Sequence, residues 1–398
     1  MTDAHRGFGS IGFILAWIMV GANVPSPLYA VYAGRWHFGP ATITAIFAIY
    51  VAFLIPTLLV GGQWSDRRGR KPVMVTGLGL AILGALAFLG AQSAAWLFVA
   101  RASQGAGAGL LSGAATAYLA ETDGTRGRAA LVASLATGGG TALGPLLGGF
   151  LAQYGPAPLR VVYGMVLAGL VVSAILAFRA PETRSRQGES FRWTRPRIPS
   201  TIRWLFWLAG GTAFVVWSVT AFFMSLAPSY VMHLLHVSNL AIAGGVVFLM
   251  LASASITQLV TRRLAPTVAM PLGIGLILLA VGGLLIAVPA QALWVVLMST
   301  IIAGVGQGTA FLGSMATITR AAPPAVKAQV VSSFYVVIYC GVGAPTLGLG
   351  LIAQHVGLYG AMLYYALFIG IVGLGVVGGL WARRRTVITA LDAASRPS

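Results

Sequence analysis

The sequence predicts an all-α membrane protein, with twelve transmembrane helices forming two six-helix bundles related by pseudo-two-fold symmetry. Three observations carry this expectation: a composition poor in charge, apolar runs of bilayer-crossing length, and motifs repeated about 200 residues apart. Of the 398 residues, 58% are hydrophobic and 8% charged, and the mean hydropathy is +0.88. Water-soluble domains do not have this balance.

The first apolar run, Ile11 to Ala30, is long and lacks a small-residue cleavage site, so it reads as span 1 and not as a removed leader. Thr42 to Val60 and Val73 to Gly90 read as spans 2 and 3, and Leu131 to Ala152 and Val161 to Ala177 as spans 5 and 6. Each is near the ~20 residues that cross a bilayer core. The runs are rich in Gly, Ala, Leu and Val with no period of two, which predicts helices and argues against a barrel. The polar stretch from Ala180 to Thr201, with Pro181, Pro196 and Pro199, predicts a linker. The expected organisation is a bundle over 1–179, a cytoplasmic linker over 180–203, and a second bundle over 204–398 ending in a short basic tail. The single cysteine, Cys340, falls inside a span. That excludes an intramolecular disulfide and a cysteine-based metal site.

A formal charge of +18 would suggest nucleic acid if it were contiguous, but here it is divided among helix ends. All but three of the 25 basic residues (Arg35, Arg101 and Arg160) fall in the even-numbered loops, the linker and the two termini. By the positive-inside rule, those loops and both termini are cytoplasmic. Nucleic acid is not an expected partner; the bilayer is.

The repeat is clearest across spans 4 and 5 against spans 10 and 11. Gly105, Gly107 and Gly109 correspond to Gly304, Gly306 and Gly308, Gly144-Pro145 to Ala344-Pro345, and Ala152 to Gly155 to Ala353 to Gly357. A weaker echo pairs Pro27-Leu-Tyr29 with Pro228-Ser-Tyr230. Repeats of this kind suit alternating access.

Between spans 2 and 3 stands Gly62-Gln-Trp-Ser-Asp66-Arg67-Arg68-Gly69-Arg70-Lys71-Pro72. It resembles the signature loop of the major facilitator superfamily, with every fixed position present. The resemblance implies a gate lock in which Asp66 faces the start of span 11 and Arg70 reaches Glu121 and Asp123 at the end of span 4. The plainer reading is that Arg67 to Lys71 only anchor topology. On span 4, Arg101-Ala-Ser-Gln104-Gly105 is similar to the buried-arginine motif of proton-coupled members, the alternative being structural pairing. On span 5, Gly140, Gly144, Pro145, Gly148 and Gly149 resemble the motif of antiporters and drug exporters, the alternative being helix packing.

The seven acidic residues (Asp3, Asp66, Glu121, Asp123, Glu182, Glu189 and Asp392) all read as terminal, loop or helix-end positions. Many drug–proton antiporters of the superfamily carry a carboxylate on span 1, where this chain has Asn23. Proton coupling is therefore left to Glu121, Asp123 or the histidines His233, His236 and His355, and uncoupled facilitation stays open. In the superfamily, spans 1, 4, 7 and 10 surround a central cavity. The resemblance nominates Asn23, Tyr29, Arg101, Gln104, Trp217, Phe222, Gln307 and Phe311 as its lining, with Tyr50, Gln258, Tyr335 and Tyr339 from spans 2, 8 and 11. Taken singly, each aromatic is equally a packing or interfacial residue. With Arg101 as the one fixed intramembrane charge, neutral or anionic amphipathic substrates are expected.

No metal-spaced cluster, nucleophile with a base, or nucleotide-binding fingerprint is present, so neither an enzyme nor an ATP-driven pump is expected, and no cofactor or metal. The expectation is a secondary transporter exporting small amphipathic molecules from a bacterial inner membrane, functional as a monomer, with protons as the candidate coupling ion. The rival readings are an importer or uncoupled facilitator of a specific nutrient and, more distantly, a membrane protein without transport activity.

Overall fold

In the computed structural model the described residues are 3–123, 127–183, 198–323 and 326–382, with the side chains of 3–7 and Ala328 excluded. Arg126, linker residues 184–197 with Glu189, and the tail with Arg383 to Arg385 and Asp392 lie outside the described residues. The chain divides into two units, Met1–Arg192 with Val237–Phe248, and Trp193–His236 with Leu249–Ser398.

The first unit is built on α1 (Asp3–Asn23), α2 (Tyr29–Trp36), α3 (Pro40–Arg68), α4 (Arg70–Leu89), α5 (Ala94–Thr122), α6 (Arg128–Tyr154) and α7 (Pro158–Arg179). The second is built on α8 (Arg203–Ser225), α9 (Ala227–Leu234), the later part of α10 (Leu240–Val260), α11 (Pro266–Ala287), α12 (Leu293–Ala321) and α13 (Lys327–Ala382). Span 1 is α1 plus α2, joined by a 3-10 turn at Ser26–Leu28. Pro25 and Pro27 supply no N–H there, and Leu28 N–H reaches the Pro25 carbonyl at 3.0 Å. Span 7 breaks likewise before Pro228, between α8 and α9. The weak sequence echo thus marks the same helix break in both halves.

Among the described residues ten helices are long and apolar enough to cross a membrane. Two physical facts bring them to the expected twelve. Helix α5 carries Arg101 and Glu121 in its 29 residues, which lowers its hydropathy. Helix α13 runs for 56 residues, roughly 84 Å at 1.5 Å per residue against a ~30 Å bilayer core. Gly357, at φ 74, breaks it into spans 11 and 12.

Glycines let the helices touch backbone to backbone. In the first unit a Cβ on Gly105 would strike the Tyr50 carbonyl, one on Gly109 the Leu54 carbonyl and one on Gly107 the Gly77 carbonyl. In the second unit Gly304, Gly308 and Gly306 stand in the same relation to Met250, Ala254 and Gly273. The α1–α6 crossing is similar: Gly140, Gly144 and Gly148 lie over the carbonyls of Ala16, Val20 and Val24, one turn apart. Gly105→Ala is expected to lower stability by about 1–3 kcal/mol, because the α3–α5 crossing must open. Gly79→Ala, on an open face of α4 with nothing within 4 Å of the added carbon, is expected to be neutral or slightly stabilising. Thermal unfolding of the two purified variants in detergent measures the difference.

Candidate functional site

Two polar centres stand in the first unit. One is the turn between α3 and α4. Gly69, at φ 97, ends α3 with its N–H on the Ser65 carbonyl at 3.1 Å, a conformation that L side chains avoid. The reversal places Arg70 at the start of α4 with its guanidinium buried. Its Nη1 lies 2.8 Å from Asp66 Oδ1 and its Nη2 2.6 Å from Glu121 Oε1. Its Nε donates to Glu121 at 3.1 Å and Nη1 donates to Ser65 Oγ at 2.9 Å. One guanidinium therefore ties the ends of α3 and α5 together through charge-assisted bonds. Asp66 stays half exposed.

This turn is also capped from the segment that follows α7. Glu182 accepts the backbone N–H groups of Arg70 at 2.8 Å and Lys71 at 3.1 Å, filling the donor positions that open a helix. Lys71 Nζ donates to the Phe178 carbonyl at 2.5 Å, and Thr183 Oγ1 to Glu121 at 2.6 Å. A side chain at Gly69 would occupy the Glu182 carboxylate. Sequence reasoning named Asp66, Arg70 and Glu121 but missed Ser65, Glu182 and Thr183. The available signal was an acid placed one turn past span 6 in an otherwise basic surface. Asp123 accepts the Ala129 N–H at 2.7 Å, at the start of α6.

The second centre is Arg101. It is 2% exposed and precedes Glu121 on α5 by 20 residues, about 30 Å along the helix. Nη1 donates to the Ala22 carbonyl at 2.6 Å and to Gln104 Oε1 at 3.1 Å. Gln104 Nε2 donates to the Gly21 carbonyl at 3.1 Å. The guanidinium carbon stands 4.1 Å from the Tyr50 ring centroid and 5.8 Å from that of Phe47, within cation–π range. Among the described residues Arg101 forms no ion pair. A small cavity, roomy enough for about one water, adjoins it at Ala22 and Gln104. Asn23 is buried and donates to the Met19 carbonyl at 2.8 Å, and Tyr29 is fully buried.

In the second unit Trp217 meets Phe311 edge-on at 5.5 Å, and Tyr335 stacks near Tyr339 at 6.4 Å. Gln307 is buried, and neither its Oε1 nor Trp217 Nε1 has a hydrogen-bond partner among the described residues. Phe222 is buried against Phe223, Tyr230 and Tyr365, a packing position, and Gln258 is half-buried. Among the described residues no group of His, Cys, Asp and Glu could hold a metal.

The family model described as Major Facilitator Superfamily matches residues 8–346. Multidrug resistance protein MdtL of Shewanella oneidensis is 30% identical over 150 residues, 37% of each chain. Multidrug resistance protein 1 of Bacillus subtilis is 32% identical over 152 residues, 37% of this chain and 39% of that protein. These matches thus span well under half of either relative. Among solved structures, a bacterial homolog of the human lysosomal transporter Spinster, inward-facing and unoccupied, superposes with a TM-score of 0.79 at 16% identity, covering 98% of this chain and 99% of that one. A D-xylose–proton symporter gives 0.73 at 14% identity, covering 94% and 96%. At these identities the structures show the fold.

A double-mutant cycle tests the Arg70 hub. Glu121→Gln and Arg70→Gln are each expected to destabilise by about 1–3 kcal/mol, since each strands a partly buried partner. Their combination should cost less than the sum by at least ~0.5 kcal/mol. Thermal melts of the three variants in detergent read the coupling.

Proposed function

The chain belongs to the Major Facilitator Superfamily, and from that membership we propose that it is a secondary transporter exporting small amphipathic compounds by alternating access. The observation that carries the reading is the ionic hub at the α3–α4 turn. Asp66, Arg70 and Glu121 form a lock made of a few charge-assisted bonds, strong in one arrangement and replaceable by water in another. Partial similarity to two multidrug resistance proteins supports export, and so does the glycine run of α6 against α1. The proposed organisation is a bundle over 1–179, a linker over 180–203 and a bundle over 204–398, working as a monomer in a bacterial inner membrane with both termini cytoplasmic.

The proposed substrate-contacting residues are Asn23, Tyr29, Tyr50, Arg101 and Gln104 in the first bundle and, separately, Trp217, Phe222, Gln258, Gln307, Phe311, Tyr335 and Tyr339 in the second. A guanidinium with no acid paired to it among the described residues disfavours cations and supports neutral or anionic amphiphiles. Protons are the proposed coupling ion, with Glu121, Asp123 or the histidines His233, His236 and His355 as carriers. Uncoupled facilitation is the second reading. It is favoured by Asn23, a non-titrating amide held on its own helix where a carboxylate carrier would serve.

Flux of neutral, anionic and cationic amphiphiles into proteoliposomes, with and without a pH gradient, tests the reading. Uphill movement of neutral or anionic compounds driven by the gradient is expected; gradient-independent flux selects the facilitator, and absence of flux for the whole panel refutes amphiphile export. Asp66→Asn is expected to reduce flux at least about tenfold while membrane insertion stays near normal, the size expected from losing one charge-assisted bond in a single state.

A further inference from the structure

Basic side chains of the first unit meet where α4 begins and α7 stops. Lys71 Nζ donates to the Phe178 carbonyl at 2.5 Å, which lays the ammonium against the last turn of α7, next to Arg179. At the far end of the same helix pair Phe88 stacks on Tyr163 at 4.6 Å, so α4 and α7 run side by side along their length. Arg68 closes α3 three residues before Lys71. Arg68 and Arg179 are exposed, and neither has a hydrogen bond or ion pair among the described residues. Lys71 donates once to Phe178 and keeps two of its three N–H donors. The acids of this corner are already engaged: Asp66 and Glu121 hold Arg70, and Glu182 accepts the backbone N–H groups of Arg70 and Lys71.

From these charges both helices continue as uncovered faces. On α4 the exposed positions Pro72, Thr76, Gly79 and Leu83 recur three or four residues apart, which puts them on one face. Val171, Ile175 and Phe178 do the same on α7, with Phe178 60% exposed beside Arg179. Pro72 to Leu83 spans about 16 Å at 1.5 Å per residue, close to the ~15 Å hydrocarbon depth of one leaflet. Nothing lies within 4 Å of a Cβ built on Gly79, so the α4 face carries a notch the size of a missing side chain. Any lipid can cover such a face; the cations at its head select among lipids. A zwitterionic headgroup brings its own ammonium to the same place, whereas an anionic phosphodiester brings acceptors and a net negative charge.

We propose that Lys71, Arg179 and Arg68 seat the phosphate of an anionic phospholipid, with an acyl chain lying along the α4–α7 face. The seat belongs to the first unit alone and is read by equilibrium binding, so it stands or falls separately from export.

The test is native mass spectrometry of the whole purified protein in detergent, titrated with dioleoylphosphatidylglycerol, dioleoylphosphatidylcholine or inorganic phosphate. The wild type is expected to hold one phosphatidylglycerol at least about tenfold more tightly than phosphatidylcholine. Arg179→Gln and Lys71→Gln should each weaken phosphatidylglycerol roughly fivefold, the worth of one basic residue at an anionic surface, and Arg179→Lys should restore it. Arg263, exposed on the turn between α10 and α11, is the control, and Arg263→Gln should change nothing. Equal affinity for the two lipids overturns the seat. So does a loss in Arg263→Gln as large as in Arg179→Gln, the mark of diffuse attraction to any basic surface. Inorganic phosphate binding as tightly as phosphatidylglycerol overturns the lipid assignment, because the chains would then contribute nothing. Should Lys71→Gln fail to fold, the Arg68→Gln/Arg179→Gln double variant decides, and undiminished phosphatidylglycerol binding there overturns the seat.

Discussion

Close contact between helix backbones is the constraint on which the rest of this structure depends. In lipid, apolar side chains gain little by leaving their surroundings, so helices associate through tight packing. The chain answers with 52 glycines, the critical ones lying over carbonyls of a neighbouring helix. Polar geometry follows from these crossings. Because Gly105 admits the Tyr50 carbonyl, α3 lies close enough to α5 for the Tyr50 ring to sit 4.1 Å from the Arg101 guanidinium. The Gly69 turn likewise leaves room for the Glu182 carboxylate that caps α4. Removing either glycine would disturb an electrostatic arrangement through a steric cause.

The spans were legible in the sequence because a bilayer imposes one length and one composition on each helix. The Arg70–Glu121 pair was legible because the family resemblance joins the signature loop to the end of span 4. Glu182 and Thr183 were not, since their role depends on α7 ending beside α4, a tertiary fact with no local pattern. The tyrosines were misleading for another reason. An isolated phenol in an apolar run reads as packing or as an interfacial belt, and only the fold shows Tyr29, Tyr32 and Tyr163 buried, with Phe88 between the rings of the last two. Helix α5 shows the converse: Arg101 and Glu121 lower its hydropathy, so its charged residues partly conceal the span that carries them.

The two halves keep the same crossings and differ in what they place between them. Counting from the glycine triplets, Arg101 corresponds to Thr300 and Ala108 to Gln307. The first unit gathers a fixed charge and phenols; the second gathers an edge-on Trp217–Phe311 pair, stacked tyrosines and a buried amide. Conserved backbone geometry with divergent polar content is what a duplicated scaffold yields when packing tolerates no change at the glycines while the intervening positions are free to acquire chemistry.

That division constrains energy coupling. An arginine side chain is a poor proton carrier in general, which leaves it to carboxylates or histidines to ferry a proton. The carboxylates able to do so lie at the helix ends, and Glu121 there already receives Arg70 and Thr183. Protonating Glu121 would cancel the ionic part of its bond to Arg70, so the same group cannot carry a proton and hold the hub at full strength. A coupled mechanism in this chain would therefore link proton uptake to loosening of the α3–α5 tie, whereas an uncoupled one would leave that tie to thermal exchange with water.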